Sequence, residues 1–525
     1  MDWAVARNEV ARAVLRASVV ACGRFFDAGL RWQIARFAAT QERLRRRYGI
    51  RDDTPILPWG PEVEASIARF AAAHADARFA FTSGSTSRPK RVAFTRARLR
   101  RIKRGSFSVA ARLYARHPGC RAGLFILSSL KSDDSLTSLL LDDDAGWLGG
   151  LILPARHLRA RALAALLDEH GATAVRLWLM VLADPGILYS TNPSTLAVFL
   201  QALEDDWSGA TRLIREHATL PPAAQAIAAR LASRGWRERF ARIAAAPAAL
   251  PVAELLPGLA VYCTWDGGYV RPFLEQLRPR LGHARFVPMY SMSTETVETL
   301  THYDGDDVRF LPLAPGVYYE LLPEGSDDVP SALVPARAVE PGRAYAMVVS
   351  DPYGLVRYQT DDLFECRAKV GDVPDLIFLR RRGLSYSFTG EKLTDRHVSE
   401  AFAALFAETP ALAEAGVQLT CIPSHADPAA LPGYRLVLAH TAARAPDVDA
   451  AAIAARFDAH LARINRELAA KLESGRLGAT RAVVMPYDAL AARLDGKGDV
   501  ARRSWDSQFK LLPLYRRTWE SYGSP

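Results

Sequence analysis

The sequence predicts an α/β protein built as a large N-terminal domain followed by a small α+β domain. Three observations point there. The chain has 525 residues, more than one hydrophobic core usually serves. From about Phe79 short apolar runs alternate with helical stretches, the signature of layered α and β structure. After about Gly383 the pattern changes to a long amphipathic helix flanked by strand-like runs.

In chain order, the first 46 residues read as helix: Ala, Arg and Leu dominate and no proline interrupts. Pro55, Pro58 and Pro61 then break the chain. Strand candidates follow at 79–81, 92–94, 124–127, 175–182, 260–263, 286–289, 317–322, 344–349 and 376–379. Pro193 after Asn192 suits the first turn of a helix. Near 446–474, Ile453, Phe457, Leu461, Ile464, Leu468 and Leu472 recur at steps of four and three, and Gly475 closes the pattern. Strand candidates at 418–422, 434–439 and 482–486 surround it. The boundary predicted from this shift puts the large domain at 1–382 and the small one at 383–525.

Composition excludes several classes. Hydrophobic content of 49% and charged content of 24% are ordinary for a globular chain. No run of about 18 apolar residues suggests a membrane span. The charged N-terminal stretch does not read as a secretory signal, so a cytoplasmic location is expected. Cys22, Cys120, Cys263, Cys366 and Cys421 are scattered singly, which fits small buried hydrophobes rather than disulfides or a zinc site. Net charge is +10, and the densest basic run is RARLRRIKR at 96–104. It reads as a solvated helix face; a surface that steers anionic substrates and a nucleic-acid contact are the alternatives.

The stretch FAFTSGSTSRPKRVAF at 79–94 places Thr82, Ser83, Gly84, Ser85, Thr86 and Ser87 between two apolar segments, with Lys90 beside them. It lacks the second glycine and the hydroxyl after lysine of a Walker loop. A polar surface turn would explain it. So would a cradle for a polyphosphate, because hydroxyls, backbone N–H groups and two cations can wrap such a group.

Three further stretches give the loop a context: YSMSTETVETL at 290–300, YGLVRYQTDDLFEC at 353–366 and FLRRRGLSYSFTGEKLTDRHV at 378–398. In this order they resemble the core motifs of the adenylate-forming superfamily. With YCTWDGGYVRPFLEQLRP at 261–278 and the terminal QFKLLP, the chain most resembles the Gretchen Hagen family of acyl-acid amido synthetases. The resemblance spans about Phe79 to Pro513. It implies a large adenylate-forming domain with a mobile C-terminal lid, and a ligase forming C–N bonds. Such a ligase uses ATP and Mg²⁺ to join a carboxylic acid to AMP, releases pyrophosphate, and passes the acyl group to an amine, typically an amino acid. A thioester ligase using coenzyme A or a carrier protein is the alternative; no nucleic-acid or membrane partner is implied.

The same resemblance implies roles for individual residues. Thr82, Ser83, Gly84, Ser85, Thr86 and Lys90 would hold the β- and γ-phosphates. Asp266, Gly267 and Gly268 would lie against adenine, where glycine lets a flat base approach the main chain. Tyr290 would stack on the base. Thr294 would contact the α-phosphate with Ser293 beside it, and Glu295 would bind Mg²⁺. Asp362 would grip the ribose diol, Arg381 would stand before the domain junction, and Arg382 would sit at the hinge. Lys510 would bridge the attacking carboxylate and the α-phosphate, with Lys497 its rival. Bland readings accompany these: a helix N-cap for Ser293–Thr294–Glu295, a solvated turn for Asp362, a surface basic run at 380–382 and an exposed terminal lysine. The chain departs from the usual pattern at Ser87 and Asp361, where glycine is common, and at Met292. The acyl pocket is expected from 124–130, 175–182 and 189–196, with Phe125, Trp178 and Tyr189; core strands are the alternative there.

Overall fold

In the computed structural model, residues 3–81, 90–117, 119–127, 136–141, 150–159, 161–267, 271–304, 307–382, 385–386, 388–389, 391, 393–425, 431–441, 445–475, 477–495, 511–515 and 517–522 are described. They divide into two units. One comprises residues 1–191, 208–265 and 281–382; the other comprises 192–207, 266–280 and 383–525. The segments 192–207 and 266–280 thus group with the C-terminal residues, a membership that a single cut at 382 does not contain.

The first unit holds two main sheets. Strands Leu124–Leu127, Ile187–Ser190, Val261–Thr264 and Arg285–Pro288 lie side by side in that order, all parallel. Val261–Thr264 is buried at every position, as expected of a parallel strand covered on both faces. The second sheet is antiparallel, in the order Val334–Pro335, Tyr318–Pro323, Ala344–Ser350, Tyr358–Val370 and Val373–Arg381. Its inner face builds a core around Tyr319, Leu321, Tyr345, Met347, Phe364 and Leu376. Two short hairpins accompany these sheets. Arg78–Phe81 pairs antiparallel with Arg91–Phe94, and Leu300–Asp304 pairs with Asp307–Leu311.

The helices begin with Trp3–Ala35 and Phe37–Arg47. Helix Arg96–Arg116 follows the first hairpin and is capped by Thr95, whose side chain accepts from the Arg98 amide. It crosses Trp3–Ala35 at Gly23, where an added Cβ would stand 2.2 Å from the Ala111 carbonyl oxygen. Residues 175–182, expected as a strand, lie instead in helix Arg161–Ala183, which is interrupted at Gly171 (φ 77°). Every side chain from Ala174 to Ala183 is buried. A helix buried all round presents a nearly continuous apolar run, broken here only by Arg176, and periodicity alone cannot separate it from a buried strand.

In the second unit, Gln418–Ser424 pairs antiparallel with Gly433–His440, and Arg481–Pro486 adds in parallel. The long helix expected near 446–474 is two helices, Ala450–Ile464 and Arg466–Glu473. Asn465 divides them and caps the second, accepting from the Leu468 amide at 3.0 Å. Ile464, at the break, is 38% exposed. Helices Pro193–Asp205 and Arg271–Arg280 are tied by Arg280 to Glu204 at 2.8 Å.

All five cysteines are free; four are buried and Cys22 is half-buried. Among the described residues no helix is long and apolar enough to cross a membrane.

Candidate active site

The site of the first unit is assembled from three places far apart in sequence. Strand Arg91–Phe94 presents Lys90 at its start, a tight turn at 293–296 presents Thr294 and Glu295, and strand Tyr358–Val370 presents Tyr358 and Asp362. Lys90 Nζ stands 2.9 Å from Glu295 Oε1 and donates to the Tyr358 hydroxyl at 2.9 Å. That hydroxyl lies 3.5 Å from the same Glu295 oxygen. The ammonium also sits 5.2 Å from the Trp59 ring centroid and 5.6 Å from that of Tyr358. Lys90 is 6% exposed and Glu295 4%. Burying both charges is costly unless each meets the other.

The turn that carries Glu295 is closed by its own backbone. The Ser293 amide donates to the Thr296 carbonyl at 3.0 Å, the Thr296 amide returns to Ser293 Oγ at 3.2 Å, and Met292 bridges Val297. Ser293–Thr294–Glu295 is therefore a reverse turn and not the start of a helix. Arg98 holds it from below. Its guanidinium donates to the Glu295 carbonyl at 2.6 Å and the Ala93 carbonyl at 2.7 Å, with Asp351 3.7 Å away. Burial pushes the Arg98 guanidinium below its ordinary range and the Asp351 carboxyl above its own, and their mutual attraction opposes both shifts. The basic run is thus only partly a solvated face: Arg96, Arg100, Arg101 and Arg104 are exposed, while Arg98 is buried.

Tyr290 is buried, and its hydroxyl is 3.1 Å from Ser106 Oγ. It lines an open cleft with Ser293, Thr294, Met292, Arg101 and Tyr353. Asp362 is buried on its strand, opposite Arg381 in the neighbouring one. Its amide donates to Thr360 Oγ1 at 3.2 Å. Just before it, Asp361 has φ 62°. That left-handed backbone accounts for the glycine usual at this place in the resembling family. Arg357, in the same stretch, clamps Glu320 through two hydrogen bonds of 2.8 Å each.

Glu298 is a carboxylate that sequence reasoning did not single out. It is buried, Ser291 Oγ donates to its Oε2 at 3.2 Å, and Oε1 has no hydrogen-bond partner among the described residues. Burial first, then the nearby Asp362 charge, push its pKa up from 4.5 to about 8. The available signal was a second acidic residue three positions after Glu295, between Val297 and Thr299.

The other expected positions fall elsewhere. Asp266 and Gly267 belong to the second unit. Thr82, Ser83, Gly84, Ser85, Thr86, Ser87, Gly268, Lys497 and Lys510 lie outside the described residues, while the strands flanking the loop pair as Phe81 with Arg91. Arg381 ends strand Val373–Arg381, and Arg382 is paired with Asp328. Phe125 and Trp178, expected near the acyl group, are fully buried core side chains.

The fold, with its parallel and its antiparallel sheet, is that of solved acyl acid amido synthetase structures. The structure aligns with a GH3.15 acyl acid amido synthetase in complex with 2,4-DB at a TM-score of 0.70, covering 93% of this chain and 94% of that one at 14% identity. A second GH3.15 acyl acid amido synthetase structure aligns at 0.67 over 88% of this chain and 85% of that one, also at 14% identity. Residues 310–381 match the GH3 family central domain. The indole-3-acetic acid-amido synthetase GH3.10 of Arabidopsis thaliana is 27% identical over 204 residues, 35% of this chain and 34% of that protein. Its relative GH3.4 is 27% identical over 124 residues, 23% of this chain and 20% of that protein. The chain therefore spans about a third or less of the length of the curated relatives it matches. The chain is thus similar to GH3 acyl-acid amido synthetases in fold over most of its length and in sequence over shorter stretches that include residues 310–381.

Proposed function

We propose that the chain activates a carboxylic acid with ATP as an acyl-adenylate and transfers the acyl group to an amine, in the first instance an amino acid. The observation that carries this reading is the buried meeting of Lys90, Glu295 and Tyr358, which joins three distant motifs within 3.5 Å. A carboxylate is a poor electrophile because its leaving group would be oxide. Its oxygen attacks the α-phosphorus, the bond to the β-phosphate oxygen breaks, and pyrophosphate leaves. The amine then attacks the acyl carbon, AMP departs with the electrons of the C–O bond, and the amine loses a proton.

The residues supply binding and charge. Lys90 neutralises phosphate oxygens, with Thr82, Ser83, Gly84, Ser85 and Thr86 as the loop that wraps them. Thr294 and Ser293 meet the α-phosphate, Tyr290 the base, and Asp362 the ribose diol. Asp266, Gly267, Gly268 and Arg381 complete the nucleotide set by resemblance. Glu295 fits a magnesium ion in the way such ions bind beside phosphates, through one carboxylate and several waters: its contacts with Lys90 and Tyr358 both fall on Oε1, and Oε2 has none among the described residues. When bound, the ion would draw charge from the phosphates. The acid takes the apolar side of the cleft, among Ile102, Leu136, Val297, Leu300 and Val317. This replaces the pocket expected from 124–130, 175–182 and 189–196.

The test is pyrophosphate release over a panel of carboxylic acids, followed by product masses with amino acids or coenzyme A. Amide products are expected; thioester products would move the reading to a thioester ligase, and no acid-dependent AMP would end it. Asp362→Ala is expected to abolish release, and Lys510→Ala to lower it by orders of magnitude. Near wild-type rates in either variant would remove that assignment.

A further inference from the structure

Helix Trp3–Ala35 carries large apolar side chains on its outer face as well as on its inner one. The face it turns to the protein is anchored by polar groups and a glycine. Asn8 Nδ2 donates to the carbonyls of Ala229 and Ala232 at 3.0 Å each, Arg12 reaches the carbonyls of Leu231 and Ala232, and Gly23 packs on Ala111. Leu30 is buried on that face, Ile34, Val19 and Val20 pack partly against the core, and Phe26 meets Phe107, but five other large apolar side chains point the other way. Trp3 is 76% exposed, Phe25 74%, Val10 65%, and Val14 and Trp32 61% each.

These residues form one stripe. With the exposed Ala21 they recur at steps of seven, four, seven, four and seven. That averages about 3.6 residues per turn, the period of a straight helix. The stripe is also symmetric about the point between Ala17 and Ser18. Trp3 mirrors Trp32, Val10 mirrors Phe25, and Val14 mirrors Ala21. Near the centre the exposed residues are small: Ala13, Ala17, Ser18 and Ala21.

We propose that this stripe is a two-fold interface with a second copy of the chain, the two helices antiparallel and crossing at Ala17–Ser18. A two-fold contact requires one surface to be complementary to itself under reversal, and the mirrored spacing meets that condition. Each bulky side chain meets a bulky or small partner from the other copy, and the small central residues let the backbones approach. The exposed charges on the stripe's flank, Arg24 and Arg31, fall opposite Ala11 and Ala4, so no like charges are paired. The five large side chains expose on the order of 600 Å² per copy, so two copies would bury a total near the lower range of stable interfaces. The inference does not depend on the ligase reading.

Sedimentation velocity of the full chain between about 1 and 100 μM tests it. A dimer is expected, with Val14→Glu combined with Phe25→Glu raising its dissociation constant at least ~100-fold while pyrophosphate release per chain stays unchanged. Should that variant fail to fold by circular dichroism, Phe25→Ala with Trp32→Ala serves in its place, with a rise of at least ~10-fold expected. In a Cys22→Ser background, Ala17→Cys should give an inter-chain disulfide. Val10→Cys alone should not, because its two copies lie about 22 Å apart along the axis; adding Phe25→Cys should restore the cross-link. A monomer throughout the range, or a dimer indifferent to these substitutions, overturns the proposal. So does a monomer that binds phosphatidylserine-containing vesicles through Trp3 and Trp32, which would make the stripe a membrane-surface face.

Discussion

Lys90 and Glu295 are each almost sealed from water and 2.9 Å apart, so removing one leaves the other charged in a poor dielectric. Lys90→Met is expected to cost about 3–5 kcal/mol, the usual penalty for an orphaned buried charge. Adding Glu295→Gln should return most of that stability without returning activity. Denaturant midpoints for the two single variants and the double variant measure this; additive losses would mean that the pair is not coupled. Glu298 makes a different prediction. Its folded pKa of about 8 lies above the ordinary 4.5, so between roughly pH 5 and 8 the folded chain keeps a proton that the unfolded chain has released. Stability must fall as pH rises through that window, by on the order of 2–4 kcal/mol, and level off above it. Glu298→Gln should flatten this part of the profile in thermal melts at pH 5.5, 6.5 and 7.5; parallel profiles would deny Glu298 the proton. Lys90, Glu295 and Asp362 stand out in the sequence because an ordered set of motifs surrounds each. Glu298 was not, because its role comes from burial beside Asp362, a neighbour in space and not in the chain.

Elements were legible where their periodicity was one-sided. The alternating or short apolar runs at 317–322, 344–349, 418–422 and 434–439 are strands close to the expected limits. Helix 175–182 was misread because burial on all sides erases the 3.6-residue period, and the break at Asn465 was missed because an apolar repeat runs across it. The approach of helices Trp3–Ala35 and Arg96–Arg116 depends on a missing side chain. A Cβ at Gly23 would stand 2.2 Å from the Ala111 carbonyl oxygen and 2.7 Å from its carbon, both backbone atoms that cannot rotate aside. Gly23→Ala gains about 1 kcal/mol of helix propensity but must push the helices apart, which costs about 1–3 kcal/mol or more. A net loss of stability is expected from the shift in urea midpoint. Gly29, with nothing within 4 Å of its would-be Cβ, is the control: Gly29→Ala should be neutral or stabilising. Destabilisation of equal size at both positions would show that the crossing is not close at Gly23.

At the scale of the whole molecule, 192–207 and 266–280 group with the C-terminal residues through contacts that no linear composition shift records. Net charge needs no fold to be read, and here it makes a prediction about rate. The chain carries +10, and ATP and a carboxylate are both anions. The exposed guanidiniums of Arg96, Arg100, Arg101 and Arg104 lie on the helix that lines the cleft, so the long-range field should raise the encounter rate with both substrates. Such a field is screened within about 10 Å at 0.1 M salt and about 3 Å at 1 M. The buried contact of Lys90 with Glu295 is shielded from salt by comparison. Raising potassium chloride from about 0.05 to 0.5 M should therefore lower kcat/KM for ATP several-fold while kcat changes by less than about twofold. Sucrose at matched viscosity should not reproduce the loss. Neutralising Arg96, Arg100 and Arg104 together should reduce the salt slope without altering kcat. If kcat falls in step with kcat/KM, salt is acting on the site itself and the basic surface has no part in steering.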